Sequence, residues 1–311
     1  MATRALALLL IVVVAACGKG DRYRVGLDVE RWIHDLGSDD LDVSSPAEDA
    51  LVALGPAVLP ALAQALEHEP PEVRRGVVEV ASRLPGSDGV PLLMKAVTDD
   101  RDDEVRSQSL LSLGVIGDTR ARPVAEAALA DPALEIRMAA ASACATLCAS
   151  PEALKRLVEV GLHDDPLGAR QSLAKMLEEP GGSRAPAARQ AIEEKASPVL
   201  AADGSSEERV RAALLLAELG DPATTPVLVE AAGAADKPNL RIYAVYELGK
   251  AGDERAVPVL AAHLHGGDAG LATYSYDALR RLAERGVKGA SEAMARYTGL
   301  RPDGRLPPPG L

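Results

Sequence analysis

Apolar residues recur at the spacing i, i+3, i+4, i+7 through most of the chain. Leu59, Leu62, Ala63 and Leu66 follow it, as do Val90, Leu93, Met94 and Val97, and Val257, Leu260, Ala261 and Leu264. That spacing keeps one side of a helix apolar and predicts amphipathic helices. Pro91, Pro123, Pro226 and Pro258 fall near the starts of such segments, where Pro is tolerated because first-turn amides have no intrahelical acceptor. Between them runs a companion pattern in which an apolar residue followed by Arg opens a helix, at Val73-Arg74, Val105-Arg106 and Ile136-Arg137. The pairs Gly117-Asp118, Gly220-Asp221 and Gly252-Asp253 close others, since Gly ends a helix readily by taking positive φ.

The landmarks are periodic. Val73, Val105 and Ile136 lie 32 and 31 residues apart, Leu240 and Leu271 lie 31 apart, and each Pro pair 91/123 and 226/258 lies 32 apart. The sequence therefore predicts helix pairs repeating from Ser45 to about Thr298. One such pair cannot bury the apolar faces of both its helices and must stack on its neighbours. The fold class expected is all-α, an α-α superhelix or solenoid of stacked helical hairpins. Trp32, Ile33 and Leu36 predict a capping helix in front. The repeat opening at Ile136 lacks a Gly-Asp turn. The next, from about Gly168, is lengthened by Pro180-Gly-Gly-Ser183 and by residues 201–206, and is expected to bend the array or loop over its inner face. The Pro-rich end, residues 300–311, is expected to be extended and unpacked.

Composition agrees with many thin helices rather than one bulky core. Of 311 residues 47% are hydrophobic but only 2% aromatic, and Phe is absent, so Ala and Leu carry the burial. The formal net charge of −12, with no cluster of Lys and Arg interleaved with aromatics, makes nucleic acid an unexpected partner.

The first residues read as a targeting segment. The apolar run from Ala5 to Ala16 is about 18 Å long as a helix, too short to span the roughly 30 Å hydrocarbon layer, and it ends abruptly at the polar stretch Gly18 to Arg22. Val14-Ala15-Ala16-Cys17 resembles the lipobox of bacterial lipoproteins. The resemblance implies cleavage before Cys17, lipid attachment to that residue and a place in the bacterial cell envelope, on the outer membrane. The organisation expected is a signal peptide over 1–16, a linker over 17–27, repeats over 28–299 and a tail over 300–311.

The segments Glu104 to Asp118 and Leu240 to Pro258 resemble short HEAT-like repeats of the phycobilisome-lyase type. The resemblance covers about four-fifths of the chain and implies a polar ladder in which an Asp of one repeat meets an Arg of the next. Asp118, Asp221 and Asp253 with Arg137 and Arg241 are its expected members. Acidic pairs such as Asp39-Asp40, Asp99-Asp100 and Asp102-Asp103 precede first helices, where carboxylates cap free amides. Cys144 and Cys148, four residues apart on one helix, read as core packing, because a disulfide across an intact turn would be strained. The five His residues form no constellation, and no metal or cofactor is expected.

Aromatic placement supplies the surface candidate. Tyr243, Tyr246, Tyr274 and Tyr276 are four of the six Tyr residues, and Tyr243 and Tyr274 share a repeat position. Tyr is favoured at interfaces for its area and polar tip. The expected function is a lipid-anchored, non-catalytic scaffold binding a protein or peptide, with a basic segment favoured by the net charge. The alternative is a small-molecule binder or lyase-like enzyme of the same repeat family, using the tyrosines and the segment 180–206.

Overall fold

The computed structural model describes residues 28–164, 166–179, 181–202, 206–234 and 237–297. The expected signal peptide over 1–16, Cys17, the expected linker and the tail over 300–311 lie outside the described residues. The chain divides into two units, 1–157 and 158–311.

In the first unit, α1 (28–35) precedes α2 (Leu41–Ala53), α3 (Leu59–His68), α4 (Pro71–Arg83), α5 (Val90–Asp99), α6 (Asp103–Ile116), α7 (Arg122–Ala128) and α8 (Leu134–Ala143). Helix α9 (Pro151–His163) crosses the division. The second unit continues with α10 (Pro166–Glu178), α11 (Ala185–Ala201), α12 (Ser206–Ala217), α13 (Thr225–Ala234), α14 (Pro238–Ala251), α15 (Val257–Leu264), α16 (Ala269–Glu284) and α17 (Ala290–Ala295). No strand occurs among the described residues.

Each unit has two layers. In the first, the opening helices of the repeats, α2, α4, α6 and α8, pack in one row and α3, α5 and α7 in another; in the second, α10, α12, α14 and α16 form one row and α13, α15 and α17 the other. The rows of first helices are the tighter, and glycine explains part of this. Gly114 and Gly249 hold equivalent places, nine residues after Val105 and Leu240. A Cβ on Gly114 would lie 2.7 Å from Ala143 Cα, and one on Gly249 would lie 2.8 Å from Ala278 Cα. The two helix backbones meet there with no room for a methyl group.

The periodic residues behave as their spacing requires. Val105, Leu110, Leu113, Ile136, Leu240, Leu248 and Leu271 are buried, and Gly117, Gly220 and Gly252 take φ of 70°, 74° and 75° at the ends of first helices. The expected cap is α1, with Ile33 and Leu36 buried and Leu36 against Gly76 of α4. Asp40, Asp102 and Asp268 cap α2, α6 and α16 through hydrogen bonds from amides in the first turns.

Between the two interruptions of the lengthened repeat, residues 185–201 form α11, a regular 17-residue helix with Ala188, Ile192 and Ala196 buried; Pro180 and residues 203–205 of the interruptions lie outside the described residues. Two expectations need correction. Cys144 and Cys148 do not lie on one intact turn, for α8 ends at Ala143 and the two are joined by a disulfide with their Cα atoms 4.4 Å apart. Cys148 stands twelve residues after Ile136, where Gly117 and Gly252 stand after Val105 and Leu240, so the bridge occupies the place of the missing Gly-Asp turn.

A ladder runs through Arg74 and Arg106, and its acidic members are not the aspartates of the Gly-Asp turns. Arg74 Nε and Nη2 donate to the two carboxylate oxygens of Asp100 at 2.8 and 2.7 Å, and its Nη1 donates to the Glu69 carbonyl at 2.9 Å. Arg106 repeats the arrangement, with Nε on the Val97 carbonyl at 3.1 Å and Nη2 on Asp131. The Arg opening a first helix thus satisfies a free carbonyl behind it and reaches the Asp before the next first helix. Arg137 takes the carbonyls of Asp131 and Pro132, both at 2.9 Å. Asp118, Asp221 and Asp253 instead cap the short turns that follow them, accepting from the amides of Arg120, Ala223 and Arg255 at 2.9 Å. Arg120 and Arg255 hold the carboxyls of Asp118 and Asp253 below the usual range.

Candidate functional site

The tyrosines of the second unit separate into two groups. Tyr246 on α14 and Tyr274 on α16 are 41% and 48% exposed on the row of first helices. Tyr243 is half-buried against the core, with the Arg170 guanidinium 5.3 Å from its ring centre. Tyr276, two residues from Tyr274, turns to another side of α16 and meets the Tyr297 ring at 6.2 Å, which in turn meets His265 at 5.8 Å. Tyr243 and Tyr274 keep their shared repeat position but do not form one aromatic patch.

Beneath Tyr243 lies a buried charge cluster that the periodic pattern does not advertise. Arg170 of α10 and Glu247 of α14 have side chains 8% and 1% exposed, with Arg170 Nη1 donating to Glu247 Oε1 at 2.8 Å. Glu218, just after α12, lies 3.7 Å from Arg170 Nε and accepts from Lys250 Nζ at 2.9 Å. Burial pushes the Glu247 carboxyl up and the neighbouring Glu218 carboxylate adds to the push, against Lys250 and Arg170. Lys250 and Arg281 flank the ring of Tyr246, 5.7 and 4.8 Å from its centre, as cation-π partners. A signal was available in the sequence: Glu247 stands seven residues after Leu240, where the corresponding residues after Ile136 and Leu271 are Ala143 and Ala278. A carboxylate in a small-residue core position demands a buried partner.

The first unit presents a different face on its first helices. An open groove of about 430 Å³ runs from the end of α1 across α2 and α4 to α6. Asp39, Glu48, Glu72, Glu79 and Glu104 line it with a single cation, Arg75, which pairs with Glu104. Leu111 closes the α6 end at 46% exposure, and Val115, one turn further along, is 88% exposed. Met138 on α8 is 40% exposed. The large exposed hydrophobic side chains among the described residues are Leu41, Val43, Leu111, Val115, Leu134, Met138, Tyr246 and Tyr274. All eight belong to first helices.

Sequence and structure comparisons agree with this architecture. No curated protein matches the chain. Among solved structures, Escherichia coli YibA is similar at 16% identity, over 86% of this chain and 97% of that one, with a TM-score of 0.52. The complex of CpcE and CpcF of phycocyanin lyase from Nostoc sp. PCC7120 is similar at 19% identity, over 76% of this chain and 93% of that one, with a TM-score of 0.46. Human deoxyhypusine hydroxylase in complex with glycerol is similar at 20% identity, over 83% and 96%, with a TM-score of 0.34. Identities this low speak to fold alone. The profile for HEAT repeats matches residues 30–114, 99–178 and 193–284, more than half of the chain, and the chain belongs to the HEAT-repeat family.

Proposed function

We propose that this HEAT-repeat protein is a non-catalytic scaffold that binds protein or peptide partners on its rows of first helices and is held to a bacterial envelope membrane through lipid on Cys17. The observation that carries the binding reading is the distribution of exposure: among the described residues the eight exposed large hydrophobic side chains all lie on first helices. The second helices expose small apolar residues such as Ala127 but none of the large ones. Exposed apolar groups gathered on one side favour an interaction surface over mere incompleteness of burial. Polar and charged groups surround them, as at the rims of protein interfaces. The anchoring reading rests on Val14-Ala15-Ala16-Cys17 after a short apolar run, since several acyl chains on one residue hold a protein stably where a single chain does not.

Two measurements test these halves separately. Cells fed labelled palmitate should label the wild-type chain and leave Cys17→Ala unlabelled; equal labelling, or none in either, removes the anchor. For binding, the purified full-length chain should retain a partner at low salt and lose most of it when Leu111, Val115, Tyr246 and Tyr274 are together replaced by Ser. Equal retention by both forms removes the binding reading.

A further inference from the structure

The two units offer different chemistry to a partner, and the first is the more specific. Its groove carries five carboxylates against one cation that is already paired. Arg83 takes Glu48 at 3.0 Å and also pairs with Asp49, while Glu79 makes no ion pair among the described residues. Glu48 and Glu79 both line the groove, and burial first, and then Glu79, holds the Glu48 carboxyl above its ordinary value, with Arg83 opposing the shift without overcoming it. A further cation beside Glu79 would be attracted by these carboxylates. The groove does not end in charge. It opens onto Leu111, which is followed one turn later by Val115, and α8 packed beside α6 adds Met138. A small cation would use none of that apolar surface, a nucleic acid would be repelled by the carboxylates, and a second copy of this face would bring acid against acid. The occupant that fits both halves is a peptide segment carrying basic and apolar residues together.

We propose that the groove across α2, α4 and α6 docks a basic, partly apolar segment of a partner protein, with its Lys or Arg side chains among Glu48, Glu79 and Glu104 and its apolar residues on Leu111 and Val115. The proposal rests on the scaffold reading and gives it a site and a partner chemistry. Helices in contact lie about 8–10 Å apart, so crossing from α2 to α6 takes roughly 20 Å, or about six extended residues. The segment needed is therefore short.

The test uses the full-length protein and a fluorescent 12-residue peptide of alternating Lys and Leu, followed by anisotropy at low salt. Two controls replace every Lys by Glu or every Leu by Ser. The Lys-Leu peptide is expected to bind, the Glu version not to bind, and the Lys-Ser version to bind at least tenfold more weakly. Glu48→Gln with Glu79→Gln, which preserves volume, should weaken the Lys-Leu peptide at least tenfold, as should Leu111→Ser with Val115→Ser. Glu230→Gln, on a second helix of the other unit, should leave it unchanged. Melting curves establish that the variants are folded. Binding of the Glu version as tight as that of the Lys version, or an unchanged affinity in the double Gln variant, overturns the proposal. If the groove variants are silent while a native partner is still retained through Tyr246 and Tyr274, the groove assignment falls and the scaffold stands. If neither face retains anything, both fall.

Discussion

Replacing Arg170 by Ala is expected to cost about 3–5 kcal/mol of unfolding free energy, the range for breaking a buried ion pair from one side. The guanidinium is 8% exposed and lies against Glu247, which is 1% exposed, and Glu218, which is 9% exposed. Its loss strands two carboxylates near each other with Lys250 as their remaining cation. Urea denaturation at neutral pH reads the loss directly. The sign of the pH dependence provides an internal control. Burial already holds the folded Glu247 carboxyl above its unfolded value, so the folded state takes up its proton at higher pH than the unfolded state does. Stability in the variant should therefore rise as pH falls from neutral through the folded pKa, until the unfolded carboxyl also protonates. A deficit that stays constant over that window would place the damage in packing instead. Replacing Arg170 and Glu247 together by Met should cost much less than the two single changes summed, because neither charge is left alone.

The second large effect is expected from adding one methyl group. In a helix interior, Gly→Ala ordinarily stabilises by up to about 1 kcal/mol. At Gly114 and Gly249 the sign should reverse, with losses of about 1–3 kcal/mol, because the new Cβ would sit 2.7 or 2.8 Å from a Cα of the neighbouring first helix. Backbone cannot rotate aside as a long side chain can, so α6 must separate from α8, or α14 from α16. Gly233 on α13 is the matched control: its Cβ would meet Val259 Cγ2 at 3.7 Å, an ordinary contact. Gly233→Ala should be neutral or stabilising. Thermal melts of the three variants decide the matter, and a stabilised Gly249→Ala would mean that the rows of first helices are looser than described.

The helix pairs were legible because hydrophobic spacing, Pro at helix starts and Gly-Asp at helix ends all obey local rules. Those rules place Leu59, Val90 and Val257 without knowledge of the fold. What stayed hidden depends on partners far along the chain. Asp100 reads as a helix cap, yet it and Asp131 are the inter-repeat ion-pair partners of Arg74 and Arg106, while the aspartates of the Gly-Asp turns, expected in that role, satisfy amides two residues away. Arg170 and Glu247 are 77 residues apart in sequence, a distance no short motif spans. The separation of Tyr274 from Tyr276 could have been anticipated, since residues two apart on a helix point to different sides. The end of α8 at Ala143 is not legible because Cys144 to Cys148 carries no Gly or Pro; a disulfide joins the two cysteines just beyond it. The acidic groove gathers Asp39, Glu48, Glu79 and Glu104 from the α1–α2 loop and three first helices, and only stacking in register brings them together.

The central claim is that the rows of first helices are the working surface of this repeat protein. Site-specific photocrosslinking in the native cells tests it most directly, with a benzophenone amino acid placed at Val115, Met138, Tyr246 or Tyr274 on first helices, and at the exposed Ala127 or Glu230 on second helices. Adducts of higher mass are expected from the first-helix positions and not from Ala127 or Glu230. Adducts formed equally from both rows, or from the second helices alone, would contradict the account.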